Sequence, residues 1–444
     1  LTERREEFMN QHESNPQVSY DQPPVRRKRR KKTPWQTFKE AYLPLLLVLA
    51  GLAAVIALIV CLVNLASKSP VPSKPDTSEN TMDPTENENQ ALLLQAANLA
   101  AQYDYDGAIT LLGTCTGEDP AVQNAVADYT AAKDTLTAWP DVGKVPFISF
   151  QPLIADTARA FDDDDNAAYY ARNSLTVSEF TAILEQLYDN GYVLVSTEHM
   201  AVPDETGTYQ PGQILLPAGK KPLILSQVPV HYTTSLANDG FARRLVVASG
   251  GQIACEYTDA EGKTTTGSYD LVSVLEAFLA QHPDFSYRGA RAVLGISGDP
   301  GPLGYDITDE TERASARKVA QSLLNTGYEF ASFTYDGIGY GEASEEEVAQ
   351  DVKQWKEALE PVLGPVSILF YANGSDLANY EGAKFQTLYE GGFRYFCALD
   401  SSVNSWVQIE NTYIRQSRRT INGTRITEEA GQVADLFDAA KVIS

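Results

Sequence analysis

The chain has 444 residues, 43% of them hydrophobic and 21% charged, enough to bury a large core and to form more than one domain. Its formal net charge is −24, yet residues 1–66 hold ten Lys plus Arg against six Asp plus Glu, so residues 67–444 carry −28. That balance excludes nucleic acid and an anionic membrane surface as partners of the large C-terminal part.

Residues 1–40 lack apolar periodicity and contain Arg26-Arg27-Lys28-Arg29-Arg30-Lys31-Lys32, whose mutual repulsion predicts a solvated, disordered cytoplasmic tail. From Ala41 to Val63 twenty-three residues pass without a charge. As a helix they span about 34 Å against a hydrocarbon core of about 30 Å, which predicts one transmembrane helix within residues 41–66. A removable signal peptide has a shorter apolar centre, and no small-residue cleavage pattern follows Val63. The cations before the span place the N-terminus in the cytoplasm and the acidic bulk outside, with Trp35 and Tyr42 suited to the interface. The basic run then reads as an orientation signal at anionic lipid head groups, and the membrane as the first partner.

Residues 67–90, rich in Ser, Pro, Thr, Asn, Asp and Glu, read as a flexible linker. Helical signals return over residues 91–143, at Ala91 to Ala101 and about Pro120 to Trp139. This hairpin is loosely like one tetratricopeptide unit and reads as a helical stalk packed on the next domain. Outside the span, Cys115, Cys255 and Cys397 give neither a disulfide framework nor a zinc pattern; one pair could form, and the spacing does not choose it.

The main domain is read as residues 144–444. Val145 to Phe150 predicts a strand. Asp162 to Asp165 lack the spaced ligands of a calcium loop and read as solvated. Thr176-Val177-Ser178-Glu179 is a capping box, followed by Phe180, Ile183, Leu184, Leu187 and Tyr188 on one helical face. Strands are expected at Tyr192 to Val195 and at Leu223 to Leu225, the latter running out through Val228-Pro229-Val230-His231-Tyr232. After a helix from Leu271 to about His282 come the strand Ala292 to Ile296, the helix Ala314 to Asn325, and a strand through Gly327 to Ser332 that ends in Phe333-Thr334-Tyr335-Asp336-Gly337. Val366 to Tyr371, Gly392 to Cys397 and the basic segment Tyr413 to Arg419 complete the alternation. Helices alternating with short apolar strands predict an α/β fold with a parallel sheet and chemistry at the strand ends.

In order and spacing, residues 145–440 resemble the polysaccharide deacetylases of the NodB-homology type (carbohydrate esterase family 4). The resemblance implies a distorted (β/α) barrel of six to eight strands, here preceded by a short α-helical region and one transmembrane helix. In that family two adjacent aspartates close the first motif, one as general base and one as metal ligand, and two histidines in the second complete the metal site. Thr334 and Tyr335 match the second motif. The base and ligand positions are filled by Val228, Pro229, Phe333 and Gly337, none of which carries a proton or binds a cation. The resemblance therefore implies a degenerate member whose divalent metal is lost, with no cofactor. Ala372 also departs from the family's proline in the loop after Tyr371. Of the four histidines, His12, His199, His231 and His282, only His231 falls near the expected cleft.

Two functions follow from this reading. The first is a membrane-anchored extracytoplasmic pseudoenzyme of the cell envelope that binds a surface glycan or an envelope protein. Its candidate cleft residues are His231, Tyr232, Tyr305, Asp306, Tyr335, Asp336, Tyr371, Asn373 and Asp376, the tyrosines stacking on sugar faces. The alternative is an active carbohydrate deacetylase or hydrolase with displaced catalytic groups. It would draw on Asp299, Asp306, Asp336 and Asp376, with Tyr305 and Tyr335 as hydroxyl donors.

Overall fold

Seven short strands pair side by side, all parallel, and the last returns to the first. They are β1 (Phe147–Phe150), β2 (Lys221–Gln227), β3 (Val293–Ile296), β4 (Glu329–Ser332), β5 (Ile368–Phe370), β6 (Tyr395–Leu399) and β7 (Ile414–Thr420). Each neighbours the next in chain order, and the ring closes through Arg419 opposite Ile148 and Thr420 opposite Ser149. The fold class is thus α/β, built on a closed parallel barrel. The computed structural model describes residues 84–162, 164–298, 301–400 and 403–443. The expected cytoplasmic tail, the span at 41–66 and most of the linker lie outside the described residues, as does Asp299. Among the described residues no helix is long and apolar enough to cross a membrane.

Most of the strands are apolar on both faces because both faces are covered; β7, which carries Arg415, Gln416, Arg418 and Arg419, is the exception. Alternate residues point inward, and Phe147, Ile224, Val293, Ala331, Ile368, Phe370, Tyr395 and Ile414 fill the barrel as one cluster. Their neighbours Ile148, Leu223, Leu225, Leu294, Leu369 and Phe396 face outward into a second cluster shared with the helices.

Ahead of the barrel stand α1 (Pro84–Ala101), α2 (Tyr105–Leu112) and α3 (Pro120–Lys133). This corrects the expected hairpin to three helices, and α1 begins inside the stretch read as linker. Asp104 and Asp119 cap α2 and α3 by accepting from Gly107 N and Ala121 N, and Pro120 opens α3 where its missing N–H costs nothing. The group docks on the barrel domain: Tyr103 OH donates to the Asp284 carbonyl at 2.9 Å, and Arg288 N to the Gln102 carbonyl at 2.8 Å.

Around the barrel lie α4 (Val177–Asp189), α5 (Leu271–Leu279), α6 (Glu310–Thr326), α7 (Glu345–Leu363) and α8 (Ala383–Glu390). The capping box at Thr176 and Glu179 starts α4, which buries Phe180, Ile183, Leu184 and Leu187. The strand Tyr192–Leu194 pairs on β2 and is no part of the ring. A three-stranded antiparallel sheet, Arg244–Val247, Ile253–Thr258 and Thr264–Gly267, interrupts the passage from β2 to α5 without a counterpart in the expected elements. Between β6 and β7 no crossover helix occurs among the described residues; the strand Val407–Ile409 folds back antiparallel on β7 instead. Cys115, Cys255 and Cys397 are free thiols.

Candidate active-site mouth of the barrel

The C-terminal ends of the strands carry the positions that the resemblance marks as base and metal ligands. Val228 continues the inward face of β2 and is 6% exposed. It wedges against Gly295 of β3, where an added Cβ would lie 3.0 Å from Val228 Cγ2 and 2.9 Å from Phe370 Cδ2. Phe333, one residue past β4, packs on the same inner cluster. Pro229 is half-buried, and Gly337 sits at φ +70° on the rim. Carbon thus occupies every one of these positions. Among the described residues no three of His, Cys, Asp and Glu are grouped to hold a metal ion.

The charge inside the mouth also has the wrong sign for a metal. On β7 the residues Ile414, Gln416 and Arg418 face inward, and Arg418 is 4% exposed. Its Nη1 donates to Ser149 Oγ at 2.8 Å, and Ser226 Oγ lies 3.1 Å from the same hydroxyl. Its Nε is enclosed without an acceptor, and its guanidinium stands 4.7 Å from the Phe370 ring centre. Burial pulls Arg418 down to about 10, with Cys397 opposing. Burial likewise pushes the Cys397 thiol up, so it stays neutral and is no nucleophile. A divalent cation placed here would meet a buried, uncompensated guanidinium and no anionic ligand; the residues present do not fit the family's metal.

The nine candidate cleft residues separate into three groups. Tyr232, Tyr305 and Tyr371 are buried outside the barrel and correct the expectation that they line a cleft. Tyr232 OH donates to Asp270 Oδ2 at 2.8 Å, Tyr305 OH to the Leu245 carbonyl at 2.8 Å, and Tyr371 OH lies 2.7 Å from Tyr380 OH. Asp306 and Asp376 are engaged locally. Asp306 accepts from Thr308 N and Oγ1 at 2.9 and 2.6 Å, which holds its carboxyl below the usual range; Asp376 pairs with Arg415 Nη2 at 2.7 Å. The remaining four, His231, Tyr335, Asp336 and Asn373, lie on the loops that leave β2, β4 and β5 and are not fully buried. Asp336 and Asn373 are exposed, and Asn373 Nδ2 donates to the Gly337 carbonyl at 3.1 Å, joining two rim loops.

Two buried carboxylates hold this rim from behind. Asp351 of α7 accepts from Tyr335 N at 2.8 Å, Asp336 N at 2.9 Å and Tyr340 OH at 2.5 Å, fixing the loop in which Thr334 adopts φ +61°. Asp270, at the start of α5, accepts from Leu153 N at 2.9 Å, Gln227 Nε2 at 2.7 Å and Tyr232 OH, tying the loops after β1 and β2 together. Burial raises the Asp270 carboxyl against those donors. Sequence reasoning missed Arg418, Ser149 and Asp351. A signal existed for the first: two adjacent cations in a strand walled on both faces must place one of them inside.

Two cavities lie away from this mouth. One of about 210 Å³ sits near the N-terminal ends of β1 and β2, lined by Trp139, Lys144, Tyr192, Lys221 and Asp435 among others. Another, of about 440 Å³, lies at Arg425, Glu428 and Gln432. The N-terminal face of a parallel barrel ordinarily serves stability rather than chemistry.

No protein-family model and no curated protein matches the chain. Among solved structures it is similar to the Streptococcus pyogenes deacetylase PplD in complex with acetate, with 11% sequence identity and a TM-score of 0.38, over 66% of this chain and 98% of that one.

Proposed function

We propose that this chain is a membrane-tethered, extracytoplasmic barrel of the polysaccharide-deacetylase type that does not hydrolyse, and that it binds a surface glycan or an envelope protein through the loops after β2, β4 and β5. The observation that carries the reading is the filling of the mouth. Val228 and Phe333 put carbon where hydrolysis needs a base and metal ligands, and the buried charge beside them is positive. Hydrolysis of an N-acetyl group requires an activated water, a polarised carbonyl and a proton donor for the amine. Neutral Cys397 and the Arg418 guanidinium supply no base. Tethering and orientation are supported by the uncharged stretch Ala41 to Val63 and the cations before it.

The test is direct. The purified full chain is incubated with N-acetylated chito-oligomers and peptidoglycan fragments in the presence of zinc, cobalt or manganese, with acetate assayed in solution and binding followed by calorimetry. Binding without acetate release is expected. Metal-dependent acetate release overturns the proposal.

A further inference from the structure

We infer that the cavity near the N-terminal ends of β1 and β2 binds a single sugar ring bearing one anionic group, held by the ammonium groups of Lys144 and Lys221. The cavity is separate from the mouth, and binding there does not depend on what the mouth does.

The charges around the cavity carry the inference. Two lysines and one carboxylate line its volume of about 210 Å³. The carboxylate is already neutralised: Asp435 Oδ1 accepts from Arg419 Nη1 at 2.9 Å and Oδ2 from Nη2 at 2.8 Å. Neither Lys144 nor Lys221 has a carboxylate within ion-pair distance among the described residues. Lys220, the residue before Lys221, does have one, Asp284 at 3.4 Å, and takes no part in the lining. The Lys221 ammonium stands 4.2 Å from the Tyr192 ring centre, so it is held against a wall rather than free in solvent. Residues 67–444 carry −28, and a pocket with two unpaired cations is a local reversal of that surface; it selects an anion.

The other walls decide what carries the anion. They are largely rings: Trp139 and Tyr192 are aromatic, Pro146 and Pro222 saturated. Trp139 is pinned by its backbone N on the Ile214 carbonyl at 2.8 Å and by its indole N–H on the Asp141 carbonyl at 2.9 Å. Tyr192 OH donates to the Asp435 carbonyl at 2.9 Å. With their polar ends engaged, both residues meet a ligand through carbon, which suits the C–H faces of a sugar ring. Ser405 adds a hydroxyl for the ring's own hydroxyls. The volume falls below the ~300–1,000 Å³ of sites for drug-sized molecules, which limits the occupant to about one ring. Inorganic phosphate would leave the rings uncovered, and a neutral sugar would leave both ammonium groups without a partner. The position at the N-terminal ends of the strands agrees with binding rather than reaction.

Calorimetry of the full chain at neutral pH and constant ionic strength tests the site, with glucuronate, glucose 6-phosphate, glucose and inorganic phosphate as probes. The wild type should bind one equivalent of at least one of the two acidic sugars, and the one preferred identifies the anion as carboxylate or phosphate ester. Glucose and inorganic phosphate should bind at least about tenfold more weakly, each lacking half of the recognised chemistry. Lys221→Met keeps the aliphatic stem and should lower acidic-sugar affinity at least about tenfold, the loss of one charge-assisted contact; Lys144→Met should lower it several-fold. Lys220→Met, which removes a neighbouring charge outside the cavity, should bind as the wild type does. No binding of either acidic sugar, equally tight binding of glucose or inorganic phosphate, wild-type affinity in Lys221→Met, or an equal loss in Lys220→Met overturns the proposal. Binding of neutral chito-oligomers at the mouth should be the same in Lys221→Met and the wild type, so either reading can fail without the other.

Discussion

Replacing Asp351 by alanine should loosen the rim of the barrel more than any surface change can. The carboxylate is 2% exposed and accepts three hydrogen bonds, from Tyr335 N, Asp336 N and Tyr340 OH. Alanine leaves all three donors without an acceptor. A buried donor left unsatisfied costs about 1–3 kcal/mol, and the two backbone groups, being only partly buried, recover some of this from water. The sum is about 3–5 kcal/mol, a large part of the ~5–15 kcal/mol that holds a domain together. Urea unfolding followed by tryptophan fluorescence reads the change, since Trp355 lies one helical turn beyond Asp351 in α7 and is fully buried, its indole N–H on the Ile296 carbonyl at 2.8 Å. The midpoint should fall with an unchanged slope. Tyr340→Phe, which removes one donor and its bond together, should cost only about 1–2 kcal/mol. If Asp351→Ala costs less than about 1 kcal/mol, or no more than Tyr340→Phe, the carboxylate does not hold the loop and the argument fails.

Other changes probe the interior. Burial raises the Glu329 carboxyl from 4.5 to about 7, against donation from Thr197 N and Oγ1. The folded state therefore holds this proton more tightly than the unfolded chain; its contribution is complete below about pH 4.5 and is lost as pH rises through 7, about 3 kcal/mol in all. Glu329→Gln should flatten that part of the stability profile, and superimposable profiles for the two proteins would refute the assignment. Gly295→Ala should destabilise by about 1–3 kcal/mol through contact with Val228 and Phe370, and Val228→Ala in the same chain should restore part of the loss in a double-mutant cycle. Simple additivity of the two changes would mean that Val228 does not fill the space over Gly295.

Much of the barrel was legible because its strands are short apolar runs bounded by glycine, proline and polar residues. Leu223 to Leu225 and Ala292 to Ile296 fall inside β2 and across β3, and Thr176 with Glu179 marks the start of α4. The same property hid the orientation of the side chains. In a strand covered on both faces there is no alternation of apolar and polar residues to say which one points inward. Phe370 faces the barrel and Tyr371 the helices, though both are large, aromatic and fully buried. Hence Tyr371 was expected in a cleft that it does not line. Arg418 and Arg419 pose the same problem with charge, and only the pairing of β7 with β1 separates them. Asp351 escaped because it lies on a helix face among ordinary solvated acids, and its partners are backbone groups of a distant loop. The three-stranded sheet from Arg244 to Gly267 has short, weakly alternating strands rich in Thr, which read equally well as loop.

The ring closes only at its two extremities. Gln416 reaches the Val145 carbonyl across 271 positions of chain, so no earlier portion can complete the circle. Until the final segment arrives, β1 and β6 each present an unpaired backbone edge of the sort that recruits neighbouring molecules. Synthesis from the N-terminus must therefore carry an open sheet until β7 is made, and shielding by helpers, or slow productive folding, is the natural accompaniment. The strand that seals the gap also brings in the guanidinium, so the last event of assembly and the desolvation of the only inward arginine of that strand are one and the same. A chain shortened before Ile414 should accordingly be sticky rather than merely less stable.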